Sequence, residues 1–158
     1  MTLPEKKQLI RQFRDGSWKL ELALKSVPAE AIDFRPAPGK WTIHEIVVHL
    51  ADSEAVGYNR CRRIVAESGS DVFAYDQDAW ANELFYSKTR LEDAVVLFNL
   101  LRKLNTELLQ QLDESAFSRF VIHPERGQLT LEAWVEMYTR HVDVHLAQIQ
   151  RNLEAFKS

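Results

Sequence analysis

Apolar residues recur along this chain at intervals of three and four, with charges between them, the pattern of amphipathic helices. Over residues 4–26 the apolar set is Leu9, Ile10, Phe13, Trp18, Leu20, Leu22 and Leu24, and Gly16 leaves open whether one helix or two forms. The segment SVPAEAIDFRPAPGKW holds three prolines and a glycine and predicts an ordered, non-helical crossing. Thr42 and Glu45 then form a capping box, with Trp41 and Ile46 at the staple positions, so a helix starts there and runs to about Glu67. Residues 68–87 read as a long loop with one short helical turn, ordered by Phe73, Tyr75, Trp80, Phe85 and Tyr86. Thr89 and Glu92 make a second capping box, opening a helix to about Leu112. The stretch FSRFVIHPERGQLTL, broken by Pro124 and Gly127, reads as an irregular, turn-rich connection. Thr130 caps a last helix, apolar at Leu131, Val135, Tyr138, Val142, Ile149, Leu153 and Phe156. Four long helices with one or two long crossovers predict an all-α four-helix bundle.

Composition narrows the setting. A chain of 158 residues suffices for one domain, expected to span 1–158. The formal net charge of −3 gives no global basic field, so no nucleic-acid partner is expected. No apolar run approaches the roughly 20 residues that cross a bilayer, and MTLPEKKQLI lacks the apolar core of a signal peptide, so no membrane association is expected. The single cysteine, Cys61, cannot form an internal disulfide, which fits a reducing, cytoplasmic compartment.

The candidate chemistry lies in the last helix, where His141 and His145 are four residues apart and so only about 40° apart on one face. Tyr138, Val142, His145 and Ile149 share the apolar stripe, with His141 at its edge. A lone imidazole on an apolar face is more often a hydrogen-bonded core residue than a ligand, but a pair at this spacing is one that zinc helices use. Two ligands make a poor site. His44 and His49 are about 140° apart on their helix and cannot share one. His44 falls in the first turn, where solvation is expected, and the direction of His123 is not set by periodicity. His49, flanked by Ile46, Val48 and Leu50, is the best third ligand.

Asp52, one turn after His49, is a candidate to orient an imidazole. Asp143 is about 200° around the helix from His141 and is rejected. Glu54 is expected to be solvated, and so are Arg60, Arg62 and Arg63, which spread around the axis. Tyr75, Asp76, Asp78 and Trp80 are candidates for a pocket mouth, or else anchor their own loop. Cys61, mid-helix with no activating cation, reads as a small buried hydrophobe.

The motifs GKWTIHEIVVHLADSE, YDQDAW and HPERGQLTLEAWVEMYTRHVDVHLAQI, in this order, resemble the DinB-like superfamily, and most closely its YfiT-type branch of metal-dependent hydrolases and bacillithiol transferases. The resemblance covers about residues 30–156. It implies an up-down-down-up bundle whose histidines, here His49, His141 and His145, bind one divalent metal ion, zinc or nickel. It also implies a low-molecular-weight thiol co-substrate in several branches, and frequent homodimers. Bacillithiol transferases carry a proline-glycine element ahead of the first helix, and this chain opens almost directly with it. The metal site is untouched by that departure, but the thiol is called into question.

A tris-histidine set leaves a coordination position for water or a substrate atom, the mark of a catalytic metal. The bound ion would activate a water or a thiol for hydrolysis of, or transfer to, a small molecule. The alternative is a non-catalytic metal-binding or dimeric scaffold. The aromatic loop from Ser68 to Ser87, which a substrate site needs and a scaffold does not, favours the enzyme. Metal affinity is expected to fall as pH drops through about 6.5, where free imidazole protonates, or somewhat below.

Overall fold

The computed structural model describes residues 1–158. Four long helices carry it: α1 (Leu3–Lys25), α3 (Ile43–Ala66), α5 (Leu91–Gln111) and α6 (Leu131–Lys157), with short α2 (Ala29–Ile32) and α4 (Gln77–Glu83) in the crossovers. Phe13 meets Trp134 and Lys19 meets Asp143, so α1 and α6 run parallel. Glu54 meets Arg102 and Arg62 meets Asn105, so α3 and α5 also run parallel. Lys6 reaches Leu112 while Asn99 bonds Glu21, which makes α1 and α5 antiparallel. Gly57 faces Tyr138 and Trp41 bonds Asn152, so α3 and α6 are antiparallel too. The result is the expected up-down-down-up bundle.

Local sequence explains most boundaries. Thr2 and Glu5 close a capping box on α1, Thr42 and Glu45 close one on α3, and the Thr130 hydroxyl accepts Ala133 N–H on α6. Gly16 leaves α1 unbroken, because its missing side chain accommodates a neighbour: a Cβ there would lie 2.7 Å from Arg102 Nη1.

Four expectations fail. The proline-rich crossing contains the helical turn α2, opened after Pro28. Thr89 does not cap: it is extended at the end of a 3-10 turn, and α5 starts two residues later behind Arg90 with no side-chain cap. The Thr89 carbonyl instead bonds His44 Nε2 at 2.7 Å, while His44 Nδ1 lies 3.0 Å from Asp33, so His44 is held rather than solvated. The connection after α5 is a β-hairpin, β1 (Phe120–His123) against β2 (Gly127–Thr130), pairing Phe120 with Thr130 and His123 with Gly127. Gly127 takes a positive φ of 69°, which a turn of this kind assigns to glycine. Four alternating residues, with Val121 and His123 buried and Ile122 exposed, are too few for periodicity to mark.

The core has two apolar halves. Phe13, Ile64, Leu109, Phe117, Leu131 and Trp134 form one, and Leu20, Ile46, Leu50, Phe98, Val142 and Ile149 the other. Between them lies a charged pair, one member of which, Glu54, was expected in solvent. Glu54 and Arg102, each with a side chain 1% exposed, pair at 2.5 Å. Arg102 also donates to the carbonyls of Phe13 and Tyr138, and its guanidinium stacks 4.1 Å from the Phe13 ring and 4.9 Å from that of Phe98. Burial pushes the Glu54 carboxyl up, and the Arg102 charge opposes that shift. Helix α3 buries residues around most of its circumference, which is why a helical wheel with one apolar face misplaces Glu54 and Arg60.

Gly57 lets α3 approach Tyr138 of α6 closely. A Cβ at this position would lie 2.4 Å from Tyr138 Cε1. Gly57→Ala is therefore expected to cost about 1–3 kcal/mol, an overpacking penalty, read as a lower urea midpoint at unchanged slope.

Candidate metal centre

Helices α3 and α6 bring His49, His141 and His145 together, with one nitrogen from each lying within 4.8 Å of the others. The Nε2 atom of His141 is 3.2 Å from that of His49 and 3.1 Å from that of His145. Trp41, just ahead of the α3 cap, packs 4.8 Å from the His49 ring and stacks 6.4 Å from the His145 ring, so one indole orders two imidazoles. Its backbone carbonyl accepts a bond from Asn152 of α6. On the next turn of α6, Gln148 Oε1 lies 2.9 Å from His145 Nδ1. That contact makes Nδ1 the protonated nitrogen and leaves the Nε2 lone pair facing the trio.

These contacts fit poorly with a cluster held by its own hydrogen bonds. A neutral imidazole has one N–H, so a single proton on His141 cannot bridge to both neighbours. His49 Nδ1 is buried with no partner at all. Three enclosed rings arranged this way leave hydrogen-bonding capacity unmet, which native interiors rarely tolerate. A divalent ion held by three Nε2 lone pairs would remove the conflict among the Nε2 atoms. Two of the three separations, 3.2 and 3.1 Å, are of the size that nitrogens about 2.0–2.1 Å from a shared zinc ion would show. The residues fit a metal.

Electrostatics point the same way. Burial, then repulsion from the other two imidazoles, pushes His49 down to about 3. Burial, His145 and Arg102 push His141 down to about 3, and burial lowers His145 against the pull of Gln148. All three are neutral near pH 7, the protonation state that metal binding needs.

A cavity of about 280 Å³ opens onto His141. Ser53 and Arg60 of α3, Tyr75 of the loop, His123 of β1, and Met137 and Tyr138 of α6 line it. The rim carries Gln77, Glu125 and Arg126. Of the pocket residues expected from sequence, Tyr75 lines the cavity, and burial raises its hydroxyl while Ser53 opposes that. Trp80 does not line it; it stacks 4.6 Å from the Tyr75 ring and backs it from outside. Asp78 lies on the far side, near Arg35 and Trp41, while Asp76 caps α4.

Asp52 is also displaced from its expected role. It makes no hydrogen bond to His49, whose Nδ1 has no partner, and it sits instead beside the buried Tyr86, whose hydroxyl it helps to raise. Asp143 pairs with Lys19 at 2.7 Å on the surface. Cys61 is fully buried, and burial pushes its thiol up to about 12, so it is no nucleophile. Sequence reasoning missed Trp41 and Gln148 around the imidazoles and Arg60 and His123 in the cavity. The i,i+3 spacing of His145 and Gln148 was the one available signal among them.

A helical bundle in which three imidazoles converge, one of them opening on a cavity, defines a class of candidate metalloproteins. The chain belongs to the DinB superfamily, whose family model matches residues 12–149. A protein of Oceanobacillus iheyensis named "Putative metal-dependent hydrolase" is 31% identical over 140 residues, 89% of this chain and 81% of that protein. One of Bacillus mycoides, with the same descriptive name, is 29% identical over 140 residues, 89% of this chain and 80% of its own. Among solved structures, YfiT from Bacillus subtilis, described as a probable metal-dependent hydrolase with an unusual four-helix bundle topology, matches with a TM-score of 0.87 at 26% identity. The match covers 96% of this chain and 87% of that one. The mycothiol-dependent maleylpyruvate isomerase matches with a TM-score of 0.73 at 15% identity, over 94% of this chain and 63% of that one, a likeness of fold.

Proposed function

We propose that this protein is a metal-dependent enzyme acting on a small molecule, with His49, His141 and His145 as ligands of one divalent ion, nickel or zinc. The convergence of three neutral imidazole nitrogens beside a cavity that His141 lines carries this reading. The names of the Oceanobacillus and Bacillus relatives support it. When bound, the ion supplies a positive charge that draws the pKa of a coordinated water or thiol toward neutrality.

The chain's own groups define the rest. Trp41 and Gln148 hold His49 and His145 in orientation. Tyr75, backed by Trp80, walls the cavity on the side of the loop. The cavity favours an enzyme over a scaffold, since a scaffold has no use for a chamber opening on a ligand. Hydrolysis by water and transfer to a thiol both fit the donor set, and a cytoplasmic homodimer is the expected working form.

Metal-loaded and chelated protein, assayed against ester and amide hydrolysis and against transfer of a small thiol to an electrophile, tests the reading. Turnover in one of the two assays, lost on chelation and restored by nickel or zinc, is the expected result. Turnover unaffected by chelation would overturn it.

The structure shifts the pH dependence expected from sequence. Protons compete with metal only where the imidazoles protonate, and all three are held below the ordinary value of about 6.5. Metal is therefore expected to stay bound as pH falls through about 6.5 and to be released only well below it. Equilibrium dialysis across a pH series checks this, and a release midpoint at the free-imidazole value would contradict it.

A further inference from the structure

We propose that the substrate carries a carboxylate, and that Arg60 binds it. This rests on the reading of the cavity as the substrate site. On α3, His49, Ser53, Gly57 and Arg60 follow steps of four, four and three and so share one face. Tyr138 closes against Gly57 in the middle of that face. His49 and Arg60 are thus about 16 Å apart along the helix axis, at the two ends of one polar track.

Arg60 is only 7% exposed, yet it has no carboxylate partner. It forms none of the ion pairs in the structure, its Nη2 donates to Phe73 O at 2.6 Å, and its Nε is buried with no partner. The contrast with Arg102, also buried but matched by Glu54, is direct. A buried guanidinium with donors to spare is costly unless an anion completes it. The side chain lines the cavity that reaches His141, so the missing anion enters with the ligand.

His123 strengthens the case. Its Nδ1 accepts the backbone N–H of Glu125 at 3.2 Å, which puts the ring proton on Nε2. The cavity wall away from the metal candidates therefore offers a cation and a neutral N–H donor. Glu125, the one carboxylate near this wall, is exposed at the rim and pairs with neither Arg60 nor Arg126. A planar, delocalised guanidinium matches a carboxylate with two parallel hydrogen bonds. Held at Arg60, such a group anchors the substrate at a distance from the metal candidates, where its binding energy orients the reacting part.

The test uses metal-free protein, so that it stands apart from the metal reading. Benzoate and benzamide, nearly identical in size, are titrated by calorimetry and by chemical-shift perturbation of backbone amides around residues 53–60 and 123–126. Benzoate is expected to bind at least about tenfold tighter than benzamide, the scale of one charge-assisted pair. That preference should vanish in Arg60→Met and persist in part in Arg60→Lys. Loss of a merely structural anchor to Phe73 would weaken both probes alike and leave their ratio unchanged. Equal binding of the two probes by the parent, a preference surviving Arg60→Met, or tighter binding of phenyl phosphate than benzoate would each overturn the proposal. The parent comparison needs no variant to fold. A metal site that proves absent would leave the benzoate preference intact, so the two readings fail separately.

Discussion

His145→Ala is expected to abolish tight metal binding, whereas His44→Ala leaves it unchanged. Removing an imidazole takes away one of three donors and exposes the other two to water. Loss of an outer-sphere partner alone lowers affinity about 10–100-fold, and loss of a ligand exceeds that. Gln148→Ala supplies the intermediate case: His145 keeps its nitrogen but loses the acceptor that fixes its tautomer, so a 10–100-fold loss is expected there. Competition with a chromogenic chelator ranks the four proteins. His44 is the informative control because it is a well-ordered histidine of the same helix as His49, bonded to Asp33 and Thr89 and outside the trio. If His44→Ala weakened binding as much as His145→Ala, the ligand assignment would fail.

The largest stability effect belongs to the charged pair. Arg102→Met leaves Glu54 buried without its cation, and breaking a buried pair in this way costs about 3–5 kcal/mol. It also removes donors from the carbonyls of Phe13 and Tyr138. Glu54→Gln together with Arg102→Met is expected to be less damaging than Arg102→Met alone, because an amide is cheaper to bury than an unpaired carboxylate. The pH dependence separates this from a packing defect. Burial already raises the Glu54 carboxyl, and loss of Arg102 raises it further. The folded variant then holds a proton where the unfolded chain has released it, so its stability relative to the parent rises as pH falls. Urea denaturation of variant and parent at pH 8 and pH 5 should give a smaller difference at pH 5. A difference independent of pH would mean that Glu54 is not the source of the cost.

The sequence made the bundle legible because three of its four long helices open on side-chain caps and carry apolar stripes that periodicity reads directly. The histidine trio was legible for a related reason: His49 and His145 lie on those stripes, and His141 is tied to His145 by a single turn. What escaped was set by tertiary contact. Glu54 and Arg60 sit on a helix enclosed on most sides, so polarity gave the wrong face for both. Arg102 was buried by a partner two helices distant in sequence and by the space left at Gly16, neither visible as a local pattern. Asp52 shows the limit of spacing arguments, since one helical turn from His49 brings it beside Tyr86 and not onto the imidazole. His123 had no periodicity to read, and only the pairing of its hairpin turns it into the cavity.

Elemental analysis of untagged protein, purified without chelator and compared with His141→Ala, tests the central claim most directly. The account predicts about one equivalent of a divalent transition metal in the parent and little in the variant. Equal metal in both proteins, or none in the parent even after reconstitution with zinc, nickel, manganese and iron, would contradict it and leave the three imidazoles as packing.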